Sequence, residues 1–174
     1  MSIIYESTVD LVEYARLGKN NDFPEPDCCP ACKGRILLYR HGFYSRNAIQ
    51  DGIIYAVFIR RLRCPSCRST CSLLPHFLVP RYQYVFSNVL QFLKEALIGK
   101  VRSCYYRLAQ YYRRRFIEQL NLVEAFFRFT GFTESLPKGR EKATKLLEMV
   151  QAASPTFLGR WKDHFSRNFM ARSL

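Results

Sequence analysis

The sequence predicts an α+β protein, with a small three-stranded sheet clasped by cysteines ahead of an α-helical, helix-turn-helix-like region. Three observations predict it. Two Cys-Pro-x-Cys turns, Cys29-Pro30-Ala31-Cys32 and Cys64-Pro65-Ser66-Cys67, flank a stretch with the pattern of a β-hairpin. Beyond Pro80 the apolar residues recur at three- and four-residue steps, the period of an amphipathic helix. The 174 residues carry 27 Lys and Arg against 14 acidic side chains, a formal net charge of +13.

Four segments follow in order. Residues 1–22 read as a strand, Ile3 to Glu6, and a helix capped by Ser7 or Thr8. Val9, Leu11, Val12 and Ala15 are its apolar stripe and Leu17-Gly18 its end, so this segment forms a cover over the sheet. Residues 23–80 are the cysteine-clasped ribbon, entered through a connector that Pro24 and Pro26 stiffen. Its expected strands are Arg35 to Tyr39, Ile53 to Arg63 and Thr70 to Leu74, with turn residues from Asn47 to Gly52 and a hairpin signal at Asp51-Gly52. Pro75 to Pro80 breaks the chain, but its Phe77, Leu78 and Val79 predict a linker that packs down.

Residues 81–130 hold a helix from Tyr84 to Ile98, stopped by Gly99, and a second from an N-cap at Ser103 to beyond Arg115. Tyr105, Leu108, Tyr112, Phe116, Leu120, Val123 and Phe127 are the second helix's buried stripe. Helix, turn and helix make a candidate helix-turn-helix. Residues 131–174 hold two more helices, Arg140 to Ala152 and Thr156 to Ser173, separated by Pro155.

The paired knuckles carry the most specific chemistry. A two-residue spacing turns both sulfurs of a knuckle toward one point, and Pro fixes φ within the turn. Four thiolates from two such turns fit one tetrahedral Zn²⁺ with Zn–S bonds of about 2.3 Å. The expected ligands are Cys29, Cys32, Cys64 and Cys67 around one structural zinc ion. Cys28 and Cys71 stand close enough in sequence to be alternative ligands, while Cys104 belongs to a helix. Seven cysteines cannot all pair as disulfides within one chain. A sheet so small has little core of its own, so removal of the metal is expected to unfold it.

The excess of positive charge predicts a polyanionic partner, double-stranded DNA first and RNA as an alternative. Arg60, Arg61, Arg63 and Arg68 crowd the second knuckle. Lys100, Arg102 and Arg107 flank the helix–helix turn, and Arg113, Arg114 and Arg115 form a run on the second helix. Three successive helical residues span roughly 200° of the circumference, which turns one of the run sideways or inward. If the second helix reads bases, its early residues Ser103, Tyr106, Arg107 and Gln110 face them.

Other classes find no support in the sequence. A closed four-cysteine site keeps no open position for water or substrate. The sequence holds no Gly-rich phosphate loop, nucleophile elbow or His-x-Glu deaminase signature, and its acidic residues past position 80 alternate with basic ones as solvated helix faces do. The expectation is a protein without catalytic activity. The N-terminal residues do not resemble a signal peptide and no apolar run reaches the roughly 20 residues that span a bilayer, so a soluble cytoplasmic protein with no membrane partner is expected.

Several stretches carry a family likeness: Phe23-Pro24-Glu25-Pro26, Tyr39-Arg40-His41-Gly42-Phe43-Tyr44-Ser45-Arg46, Ile59 to Thr70 around the second knuckle, and Ser72-Leu73-Leu74-Pro75-His76-Phe77-Leu78-Val79-Pro80 with Tyr82 and Tyr84. Together they resemble the zinc-ribbon plus helix-turn-helix front end of bacterial insertion-sequence transposases. They are also similar to a family of short mobile-element-associated proteins with the same front end. The resemblance spans about residues 23–120; Cys71 departs from it, standing where the pattern has a bulky apolar residue. It implies that the four knuckle cysteines are the zinc ligands and that the helices after Pro80 contact DNA. It further implies an accessory or regulatory role in transposition, because the catalytic domain of those transposases has no counterpart in this sequence. A protein-interaction adaptor that docks a transposase or polymerase subunit is the alternative, motivated by the aromatic-rich segment Phe157 to Met170.

Overall fold

A computed structural model describes residues 1–171. The fold is mixed α+β, with a four-stranded sheet and six α-helices divided between two compact units, Met1–Val85 and Phe86–Leu174.

The first unit is built on a sheet of order β1-β4-β3-β2. Strands β2 (Tyr39–Gln50) and β3 (Ile53–Arg63) form a long antiparallel hairpin, in register from Gln50 opposite Ile53 to Tyr39 opposite Arg63, with a bulge between Arg40 and Phe43. Its tip is the Asp51-Gly52 turn, with φ of 51° and 85°. Two successive left-handed residues define the turn whose twist matches the flanking strands, which is why Asp-Gly serves there. Strand β4 (Thr70–Pro75) runs antiparallel to the end of β3, pairing Arg63 with Thr70. Strand β1 (Ser2–Tyr5) lies parallel to β4, from Ser2 opposite Ser72 to Tyr5 opposite Pro75.

Helix α1 (Leu11–Leu17) is capped by Asp10, whose Oδ1 accepts the Glu13 N–H at 2.9 Å. Tyr14 anchors this helix to the sheet. Its hydroxyl donates to the Phe58 carbonyl at 3.0 Å, and its ring meets Phe23 and Phe77 edge-on. The core gathers Leu11, Tyr14, Val57, Ile59, Leu73, Leu74, Leu78 and Val85, and Cys29, Cys64 and Cys71 belong to the same buried cluster. The linker packs down as its apolar content predicts: Leu78 and Val79 are fully buried, and Ile49 at the end of β2 exchanges backbone hydrogen bonds with Gln83 and Val85.

The second unit is wholly helical among the described residues: α2 (Phe86–Ile98), α3 (Tyr106–Glu118), α4 (Leu120–Phe129), α5 (Gly139–Ala152) and α6 (Phe157–Phe165). Helix α2 packs against α3 and α5. It ends where Gly99 turns left-handed (φ 77°) and the Lys100 N–H closes back onto the Glu95 carbonyl, the bonding of a Schellman cap. The core is an aromatic knot. Phe157 stacks edge-on to Phe169 with centroids 5.0 Å apart, Trp161 meets Phe169 at 5.2 Å, and Phe86, Phe116 and Phe126 close around them. Gln119, fully buried between α3 and α4, fixes the segment after α6. Its Oε1 accepts the Met170 N–H at 2.9 Å and its Nε2 donates to the Ala171 carbonyl at 2.5 Å.

Several sequence expectations are corrected here. The sheet has four strands instead of three, because the N-terminal strand joins it as β1 beside β4. The first ribbon strand is Tyr39–Gln50 and not Arg35 to Tyr39: residues 35 and 36 are spent on the knuckle, where Cys28 bridges Arg35 and the Ile36 N–H bonds the Asp27 carbonyl. The cap of α1 is Asp10; Ser7 instead gives its N–H to His76 Nδ1 at 3.2 Å. Ser103 is not an N-cap but opens a 3₁₀ turn, Ser103–Tyr105, that leads into α3. The long second helix divides at Gln119 into α3 and α4, although the predicted stripe holds: Tyr112, Phe116, Val123 and Phe127 are buried. The last helix stops at Phe165, where Ser166 turns left-handed (φ 53°), so Phe169 and Met170 are buried from an irregular segment. The remainder of that predicted helix, to residue 173, extends outside the described residues.

Candidate metal centre and basic surfaces

The sulfurs of Cys29, Cys32, Cys64 and Cys67 all lie within 4.8 Å of one another. Cys29 Sγ is 3.7 Å from Cys67 Sγ, and Cys32 Sγ is 3.9 Å from Cys64 Sγ. A regular tetrahedron of thiolates around a metal at about 2.3 Å has edges of about 3.8 Å. These two separations match that figure and are far beyond a disulfide's roughly 2.05 Å. The four cysteines can therefore hold one metal ion, each knuckle contributing one buried sulfur (Cys29, Cys64) and one from an exposed residue (Cys32, Cys67).

The two knuckles are built alike, residue for residue. The Cys29 N–H bonds the Gly34 carbonyl at 3.0 Å, and the Cys64 N–H bonds the Ser69 carbonyl at 2.9 Å. Each turn passes through a left-handed residue one position after its second cysteine, Lys33 at φ 60° and Arg68 at φ 58°. The N–H two positions past that cysteine then points at its sulfur: Gly34 to Cys32 and Ser69 to Cys67. A Cβ on Gly34 would stand 3.5 Å from the Cys32 sulfur, ordinary contact distance, so the close turn leaves room for a side chain such as that of Ser69.

These surroundings set Cys67 apart from Cys32. The Ser69 hydroxyl, with its N–H, holds the Cys67 thiol down to about 6. At Cys32 the Gly34 N–H pulls downward as well, but desolvation and the sulfurs of Cys29, Cys67 and Cys64 outweigh it and raise that thiol to about 11. A cation bound among the four sulfurs would supply the positive charge that favours thiolates as its ligands. Cys28 and Cys71 stay outside the cluster. The Cys28 thiol lies 3.5 Å from the Lys33 carbonyl, and Cys71 is buried on β4, where burial and the nearby Cys29 and Cys64 push its thiol up.

The basic residues singled out from the sequence fall into different settings. Arg60 is half-buried, its guanidinium stacked over Phe23 (4.5 Å) and Phe43 (5.0 Å). Arg61 donates to Thr70 Oγ1 at 3.5 Å. Arg63 and Arg68 are exposed, as are Lys33 and Arg35, which the runs of charge did not single out. The available signal was positional: Lys33 and Arg68 occupy the same place in the two knuckles.

In the helical unit Lys100, Arg102, Ser103, Tyr106, Arg107, Arg113 and Arg114 are exposed and Gln110 half-exposed. Arg115 is the inward member of its run, 5% exposed, 3.1 Å from the Glu118 carboxylate and stacked on Tyr111. The outer face of α3 forms one wall of a groove of about 970 Å³, which Arg107, Arg113 and Arg114 share with Arg140 from the first turn of α5.

The chain is thus an α+β protein with a four-cysteine cluster able to hold a metal ion in its β unit and a strongly basic helical unit. Residues 29–108, from the first knuckle into α3, match the model of a family described as Domain of unknown function (DUF6431). No curated protein and no solved structure matches the chain. Among the described residues no helix is long and apolar enough to cross a membrane.

Proposed function

We propose that this is a zinc-dependent, non-catalytic DNA-binding protein with an accessory or regulatory role in transposition. Four thiolates at tetrahedral spacing favour Zn²⁺ among the common divalent ions, and a complete thiolate shell makes the ion structural. Cys29, Cys32, Cys64 and Cys67 hold it, and it contributes folding free energy to the β unit.

One observation carries the DNA reading. Between Glu95 and Glu118 the chain has no acidic residue, yet it places Lys100, Arg102, Arg107, Arg113 and Arg114 in the open along the α2–α3 turn and the outer face of α3. The helical unit holds 16 Lys and Arg against 7 acidic residues, the β unit 11 against 7. Long cationic side chains on a rigid helix are the supply that phosphate contacts draw on. In this reading α2 and α3 act as a helix-turn-helix pair, with Ser103, Tyr106, Arg107 and Gln110 nearest the bases and Arg63 and Arg68 as further phosphate contacts. The transposition role rests on the resemblance carried by residues 23–120.

Gel-shift titration of the zinc-loaded protein against duplex DNA at several salt concentrations tests it. Affinity should fall steeply with salt, by roughly 0.9 in the log–log slope for each phosphate neutralised. Arg102→Glu with Arg107→Glu should weaken binding at least about tenfold for every sequence tried. Absence of duplex binding at low salt rejects the proposal, and preference for RNA of equal length replaces it with an RNA-binding protein.

A further inference from the structure

We propose that the groove along α3 is a docking site for an acidic amphipathic helix of a partner protein. The site itself does not depend on the DNA reading; only its effect on DNA binding rests on that reading. The floor of the groove is apolar: Leu97 from the end of α2, Ile117 from α3, Leu120 at the start of α4 and Ala143 from α5. Ile117 is 41% exposed and lines the groove together with the exposed Arg113 and Arg114. The rim is cationic. Arg107, Arg113 and Arg140 form no ion pair among the described residues, and the single lining carboxylate, Glu118, is engaged by Arg114 and Arg115. A second hollow of about 490 Å³ also borders Leu97 and Arg140, but Glu141 and Glu148 line it beside Lys145, so the cationic rim belongs to the first groove alone.

An apolar strip bounded by guanidinium groups is complementary to one kind of surface: apolar side chains at i, i+3, i+4 and i+7 of a helix, flanked by carboxylates. The apolar side chains fill the floor and the carboxylates take charge-assisted bonds from the rim. A helix about 10 Å across can lie half-sunk in such a channel. The recessed apolar floor offers nothing to the sugar-phosphate backbone of a duplex. Because Arg107, Arg113 and Arg114 also belong to the proposed DNA-contact set, the helix and a duplex exclude one another, and the partner would turn DNA binding off.

The test uses a fluorescent peptide of about 18 residues, with Leu at helical spacing and Glu on the flanks. Its controls are a scrambled peptide of the same composition and a version with every Glu replaced by Lys. All are titrated with the full zinc-loaded chain. The amphipathic peptide should bind at least about tenfold tighter than either control, and Ile117→Glu or Arg140→Glu should each weaken it about tenfold or more. Lys19→Glu, an exposed residue of the other unit outside both proposed sites, should leave it unchanged. Amide chemical-shift changes should centre on Leu97, Ile117 and Ala143. No peptide binding, equal affinity for the scrambled peptide, or indifference to Ile117→Glu overturns the proposal. So does a result in which duplex DNA, and not the peptide, perturbs the floor residues. Peptide binding without any duplex binding upholds this site while rejecting the DNA reading.

Discussion

The two units of this protein are held together by different means. The β unit has a core of mainly aliphatic side chains around Tyr14 and Phe23, with Cys29 and Cys64 set into it, so a metal bound there would be continuous with the apolar packing and not appended to it. The helical unit has no cysteine cluster among its described residues and instead interlocks aromatic rings around Phe157 and Trp161. A unit of that kind should stay folded under any metal supply, while one whose core includes a four-cysteine cluster is expected to fold only with a cation present.

Removing the metal is the strongest way to break this comparison. Structural zinc contributes of order 10–16 kcal/mol in small metal-dependent domains. Chelation, or Cys64→Ser, should therefore unfold the β unit. Strand circular dichroism should collapse and thiol reactivity rise. The emission of Trp161, the one tryptophan of the chain, should keep its denaturation midpoint. Simultaneous loss of both signals would reject the contrast. Phe157→Ala probes the other side. It empties a fully buried position that touches Phe86, Phe126, Trp161 and Phe169, and should cost about 3–5 kcal/mol. Its readout is a lowered urea midpoint for Trp161 with metal content unchanged.

The smallest effect sharpens the picture within the β unit. Burial lowers the pKa of His76, against the pull of Glu6, and its Nδ1 accepts the Ser7 N–H only while unprotonated. A histidine depressed in the folded state is protonated first in the unfolded chain. The stability it protects is therefore complete above the unfolded value of about 6.5 and is lost as pH falls below it. Between pH 7.5 and 5.5 the β unit should lose more stability than a His76→Gln variant, measured by urea titration with metal in excess.

The metal site was the most legible part of the chain, because two Cys-Pro-x-Cys turns specify their own geometry locally. The same holds for Asp51-Gly52 and Gly99, whose left-handed backbone is written in the residue type. Legibility failed where tertiary partners decide. The stretch Ile36-Leu37-Leu38 looks more like a strand than Tyr39–Gln50 does, yet the knuckle consumes the backbone just before it. Strand β2, at the edge of the sheet with much of its length exposed, shows little alternation. Nothing near Gln119 announces a helix break, and the residues its side-chain amide bonds there, 170 and 171, lie some 50 positions away. The parallel partner of β1 lies some 70 positions away and leaves no trace in periodicity. The groove on α3 required Arg140, far along the chain, before it became a site.

The pairing of Ser2–Tyr5 with Ser72–Pro75 sets a schedule for biosynthesis. At roughly 5–20 residues per second, the first strand leaves the ribosome several seconds before its neighbour exists. The second knuckle arrives in the same late stretch, so completion of the four-cysteine cluster and closure of the sheet fall due together. Until then the nascent segment has neither edge partner nor complete thiolate shell, and that interval is when a holding chaperone would matter most.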